Sequence, residues 1–313
     1  MPIARSNPLG SLPEAIALPL QVERYVAVAQ LTMYTYDWLL SVSEECEILS
    51  KAGWSRSNMV YFLSRIFEFG HQFILVILIF VPSTKSCDAL LGAIGTCGAV
   101  SVSCTSLLFL LRIRAVYLKS RFIMILFGTI WLVSVALNIL QAASMHGEII
   151  PGTTLCTNIG TKYFMLPSIS TFINDTLIFL AITFRLCSNA LIDESWRSRF
   201  LSVVKGKGMY RLSRSLLLSG QIYYLTVIVF FIANFVVMLS PLIPTGDHFL
   251  TAMILGAFTN MMACRVFRGV ALGMMEDHPT TGLSTTRIAA AMELDAFPSA
   301  LRTKSDVAKH GIR

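Results

Sequence analysis

Residues 24–80 read RYVAVAQLTMYTYDWLLSVSEECEILSKAGWSRSNMVYFLSRIFEFGHQFILVILIF. Two apolar runs flank a short, charged connector that carries Trp54. A run of about 20 predominantly apolar residues is long enough, as a helix, to cross a hydrocarbon core about 30 Å thick. The stretch therefore reads as a transmembrane helical hairpin. Asp37, Arg65, Glu68 and His71 lie inside the two runs. Ionisable groups are costly in hydrocarbon, so each needs a partner or a task.

Working outward, the same pattern recurs. Apolar runs fall at 24–42, 58–80, 90–111, 121–143, 164–186, 215–239 and 248–264. In lipid the backbone polar groups of each run must be satisfied within the run, so the fold expected is an all-α, seven-transmembrane-helix bundle. The composition agrees. Of 313 residues, 55% are hydrophobic and 14% charged, against about 25% charged in an ordinary soluble chain. The first 22 residues contain Pro2, Pro8, Pro13 and Pro19 and no unbroken apolar core, so no cleavable signal peptide is expected.

Charge sets the orientation. Only Lys85 and Lys162, with Arg5 and Arg24 of the N-terminal segment, lie on one side of the seven spans. Twenty Lys and Arg lie on the other, including Lys51, Arg112, Arg114, Lys119 and Arg268. The positive-inside rule then places the N-terminus outside and the C-terminus in the cytoplasm. The organisation expected is an outer tail over 1–23, a membrane domain over 24–264, and a polar, mostly mobile cytoplasmic tail over 265–313 with a short helix near 287–294. The +7 net charge reflects this asymmetry and not a nucleic-acid partner. The lipid bilayer is the expected partner. The basic 185–214 connection could also attract anionic lipid or dock a cytoplasmic protein.

Two polar groupings stand out within the spans. Asp37 and Arg65 lie at similar depth on adjacent antiparallel runs, which predicts an ion pair that either fixes helix packing or acts as a switch. Asp175 lies near the middle of the fifth run, where a carboxylate costs about 3 kcal/mol on insertion scales. By depth its partners are His71 and Gln72, or Ser103, Thr105 and Ser106. Glu68 is also at this depth. Asp175, Glu68 and His71 could together relay a proton or hold a cation; the alternative is an Asp175 that serves only as interhelical glue. Asn138, Asn234 and Asn260 are expected to bond between helices, and Gly92, Gly95 and Gly98 to permit close approach of the third run.

Of seven cysteines, Cys87 and Cys156 fall on the outer side, where a disulfide can persist. Cys187 and Cys264, at span ends, are either small buried residues or acylation sites. No run contains lysine, which leaves no retinal Schiff base. There is no His-Glu-x-x-His, nucleophile elbow or P-loop, so neither catalysis nor a metal or organic cofactor is expected.

Tyr36-Asp37-Trp38-Leu39-Leu40, Glu45, Trp54-Ser55, Phe62-Leu63 and Arg65 together resemble the opening pattern of the fungal domain-of-unknown-function 6533 family of integral membrane proteins. Leu111 to Tyr117, Asn174-Asp175-Thr176, Gly220 to Tyr223 and Cys264-Arg265 are similar to later segments. Ser64-Arg65-Ile66 stands where the family carries Asn-Arg-Tyr. The resemblance implies a multi-pass membrane fold and no particular activity.

The function expected on this evidence is that of a receptor-like or sensory protein without catalysis, in the plasma membrane, binding an unknown small ligand or ion. A proton- or cation-coupled transporter using the intramembrane carboxylates is the alternative, and a non-catalytic scaffold the third.

Overall fold

A computed structural model describes residues 14–81, 87–117, 120–149, 156–158, 165–190, 221–240 and 245–272. Among them are seven helices: α1 Glu14–Ala52, α2 Arg56–Phe80, α3 Cys87–Val116, α4 Arg121–Ala143, α5 Met165–Ala190, α6 Gln221–Leu239 and α7 Thr245–Ala271. Two three-residue strands, β1 Gly147–Ile149 and β2 Cys156–Asn158, pair antiparallel between α4 and α5, with Ile149 opposite Cys156. The helix at 287–294, the tail beyond 272 and the greater part of the 185–214 connection lie outside the described residues.

Most helices coincide with the apolar runs, but α1 and α7 outlast theirs. The first begins at Glu14, so residues 14–23 of the expected tail are helical, and it continues ten residues past the run at 24–42. Its 39 residues span about 58 Å at 1.5 Å per residue, well beyond a hydrocarbon core. What ends α1 is Gly53, whose φ of 59° is left-handed and whose N–H donates to the Leu49 carbonyl at 3.0 Å. Such a turn is open to glycine at little cost. Ser55 then caps α2, its side chain accepting from the Asn58 N–H at 3.2 Å. At its far end α7 runs on to Ala271, past the expected boundary at 264.

The chain is an all-α, multi-pass membrane protein. Four helices are individually long and apolar enough to cross a membrane: α2, α3, α4 and the Met165–Arg185 part of α5. The burial of α4 is inside-out relative to a soluble bundle. The buried residues of α4 are Phe127, Ser134 and Asn138, whereas Phe122, Ile125, Leu132, Val133 and Ile139 are exposed. An exposed apolar face this continuous is one a bilayer covers.

Packing makes a ring closed on itself. Helix α1 packs on α2 and α7, α6 on α5 and α7, and α3 sits centrally against α2, α4, α5 and α7. Gly95 of α3 lies so close to α4 that an added Cβ would be 3.2 Å from the Ala142 Cα and 2.9 Å from Met145. The two bundle ends differ. At one, Cys87 is disulfide-bonded to Cys156, with Cα atoms 5.7 Å apart, which ties the strand ribbon to the first turn of α3. At the other lies the α1–α2 hairpin. Near that hairpin end Phe109, Ile113, Val116, Ile178, Ile182 and Val266 form a buried apolar cluster. Toward the disulfide end a second cluster gathers Ala27, Leu75, Ile79, Leu91 and Ile94.

Candidate functional site

Two polar constructions occupy the interior. The first lies toward the hairpin end and centres on Arg65, which is 1% exposed. Its Nη2 is 2.8 Å from Asp37 Oδ2, and its Nη1 is 2.9 Å from Glu45 Oε1. Tyr61, one turn earlier on α2, accepts from Arg65 Nη1 at 2.8 Å and donates to Glu45 Oε1 at 2.6 Å. The same hydroxyl accepts from Arg268 Nη1 at 3.1 Å, and Arg268 Nε is 2.7 Å from Glu44 Oε2. Trp38 donates its indole N–H to Glu45 Oε2 at 3.1 Å, and its ring lies against the Arg65 guanidinium. Two guanidinium groups thus meet three carboxylates from α1, and α1, α2 and α7 are joined through one tyrosine hydroxyl. The matched depth of Asp37 and Arg65 gives the ion pair expected between them. Glu44, Glu45, Tyr61 and Arg268 were not legible as its partners, because 44 and 45 fall in the charged connector and 268 beyond the last apolar run.

The second construction is a cavity of about 230 Å³ in the middle of the bundle. Every helix except α1 contributes to its lining. Glu68, His71 and Asp175 all line it, but they do not converge. Glu68 accepts from Gln72 Nε2 at 2.8 Å and from the Ser101 hydroxyl at 2.6 Å. Asp175 accepts from the Ser106 hydroxyl at 3.1 Å and from Asn174 Nδ2 at 3.0 Å. The two carboxylates are therefore held by α3 serines five residues apart, about 7–8 Å of helix rise. His71 Nδ1 donates to the Ile94 carbonyl at 3.0 Å; the carbonyl can only accept, which fixes the donor. Among the described residues no group of three His, Cys, Asp or Glu could hold a metal ion. The three side chains are separate stations on one wall, and not a single cation cage.

The remaining polar residues divide. Asn260 does bond between helices: it accepts from Tyr34 of α1 at 2.7 Å and donates to Thr105 of α3 at 2.8 Å. Asn138 donates one amide hydrogen to the Ser134 carbonyl one turn back on its own helix, α4. Asn138 and Asn234 both line the cavity. Gly98 admits the His71 ring, which would lie 3.1 Å from an added Cβ. Gly92 has nothing within 4 Å. Cys264 is fully buried, its thiol 3.6 Å from Asn260 Oδ1, so acylation there is ruled out by access. The Cys187 side chain lies outside the described residues.

Thr105 belongs to both constructions. It lines the cavity, and through Asn260 and Tyr34 it reaches the α1–α2–α7 seam beside Arg65. A continuous set of hydrogen bonds therefore leads from the cavity wall to the edge of the ionic cluster.

Residues 25–69 match a family of unknown function, DUF6533. The matched segment takes in Tyr34, Asp37, Glu44, Glu45, Tyr61, Arg65 and Glu68, so it contains most of the α1 and α2 side of the ionic cluster and one carboxylate of the cavity. No curated protein matches the chain.

Proposed function

We propose that this chain is a non-catalytic, receptor-like membrane protein of seven spans, in which the central cavity holds a small ligand. The disulfide end faces outward, and the hairpin end, with the basic connections, faces the cytoplasm, in the plasma membrane. The alternation of four against twenty Lys and Arg across the spans supports that orientation. One observation carries the reading: a six-helix cavity in mid-bundle carries polar side chains from α2, α3 and α5, with an ion-paired cluster toward the hairpin end. Toward the hairpin end the Phe109–Val266 cluster and the Arg65 cluster fill the interior. A dead-ended pocket suits binding better than passage. A filled interior, which the scaffold reading requires, does not fit the cavity.

Transport remains the competing outcome, because the pocket carries two carboxylates and a histidine. The test is proton flux in phosphatidylcholine proteoliposomes under an imposed pH gradient, read with an entrapped pH dye. The proposal expects the gradient to decay as in empty liposomes, for wild type and Asp175→Asn alike. Decay that is faster with wild type and returns to baseline in Asp175→Asn would replace the receptor reading with a proton-coupled transporter.

A further inference from the structure

The balance of donors and acceptors around the cavity bears on what enters it, given that it is a ligand site as proposed above. Both hydrogen bonds to Asp175 end on Oδ1, and Oδ2 receives none among the described residues. His71 spends its Nδ1–H on the Ile94 carbonyl, which leaves Nε2 as its second ring nitrogen. The hydroxyl oxygens of Thr171 and Thr176, also in the lining, are buried without a partner. Thr171 lies one helical turn from Asp175 on the same face of α5. Ser101 and Gln72 are committed to Glu68, and Ser106 and Asn174 to Asp175, which leaves the Thr171 and Thr176 hydroxyls, each able to donate or accept. Among the described residues no lysine or arginine lines the cavity. A buried acid with no counter-charge among the described lining residues is completed by taking up a proton or by a cation that brings its own donors, and the second fits an open cavity beside it.

Apolar surface makes up the rest. Phe172 and Phe231 stack with centroids 4.1 Å apart, and Val227 and Ile228 continue their side of the lining. At about 230 Å³ the space falls below the roughly 300–1,000 Å³ of drug-sized sites. A metal ion lacks its ligand set here and would leave the apolar wall uncovered.

We infer that the ligand is a small organic ammonium, its charged nitrogen at Asp175 and Thr171 and its apolar body against Phe172 and Phe231. The ammonium supplies three donors and one positive charge, and the site offers acceptors and an uncompensated acid.

The experiment uses the full chain in phosphatidylcholine nanodiscs and three probes of matched size: 2-phenylethylammonium, 2-phenylethanol and 3-phenylpropionate. Binding is measured by equilibrium dialysis. A charged hydrogen bond contributes about 1.5–3 kcal/mol, so the amine is expected to bind about ten- to a hundred-fold more tightly than the alcohol. The carboxylate is expected not to bind. Asp175→Asn should bring the amine down to the alcohol's affinity and leave the alcohol unchanged. Ala142→Phe, which fills the lining from α4, should abolish both. Equal binding of amine and alcohol to wild type overturns the ammonium assignment, whether or not either variant folds; if Ala142→Phe still blocks, the cavity remains a ligand site of another class. Failure of every probe to bind wild type overturns the ammonium assignment as well. Binding of the amine that Ala142→Phe does not weaken removes the cavity itself as the site. Uptake of the amine into proteoliposomes would keep the ligand class and overturn the receptor reading.

Discussion

Arg65 and Asp175 are both ionisable residues in the interior of a membrane bundle, and the protein treats them in opposite ways. Arg65 is surrounded: two carboxylates, a tyrosine hydroxyl and two aromatic faces meet its guanidinium. Asp175 is held by two neutral donors on one oxygen, beside the cavity and with no cationic side chain among the described lining residues. The first arrangement has its counter-charges within the protein, although the Arg65 Nε is left without a partner; the second has none among the described lining residues. In a low-dielectric interior, a missing counter-charge distinguishes a group kept for binding from one kept for architecture.

This contrast can be broken in order of effect. Arg65→Met strands Glu45 and Asp37 without their cation and is expected to cost about 3–5 kcal/mol, the range for breaking a buried pair. Unfolding of the purified protein in detergent measures it, and adding Asp37→Asn with Glu45→Gln should recover most of the loss. An Arg65→Met protein as stable as wild type would mean that the cluster is not structural, and the contrast would fail. Cys87→Ser with Cys156→Ser opens a link between residues 69 apart and should cost about 2–4 kcal/mol. The same curve run on wild type with reductant should shift equally. Gly95→Ala forces α3 and α4 apart and should cost about 1–3 kcal/mol through overpacking; a neutral result would show that Met145 yields to the added methyl. Asp175→Asn should change stability least, within about 1 kcal/mol, because the amide oxygen can keep both donors. A loss comparable to that of Arg65→Met would turn Asp175 from a binding group into interhelical glue.

Much of the architecture was legible in the apolar runs, since the bilayer imposes length and backbone satisfaction together. The run at 121–143 coincides with α4. The Asp37–Arg65 contact followed from depth alone, because helix rise converts position in the run into height. What hydropathy could not give was where helices end. It reports immersion in lipid, whereas a helix stops for local backbone reasons, here the left-handed Gly53. Glu44 and Glu45 therefore read as connector residues, though they continue the helix that carries Asp37. Arg268 was misplaced for the same reason at the end of α7. Depth also put Glu68 near Asp175, but not which side of each helix faced the other; their bonds to Ser101 and Ser106 depend on rotation about the helix axes. The three-residue strands left no pattern, since so short a stretch has no measurable alternation.

The contact between Glu44 and Arg268 spans 224 positions of the chain. During synthesis Glu44 is in place with α1 and must wait until α7 emerges for Arg268 to reach it, whereas Glu45 meets Arg65 and Tyr61 once α2 follows. The wall between first and last helix is thus built at both times, early and late. A chain halted before residue 268 would carry a hairpin whose Glu44 faces an unfilled gap, a form that membrane quality control could distinguish from the finished ring.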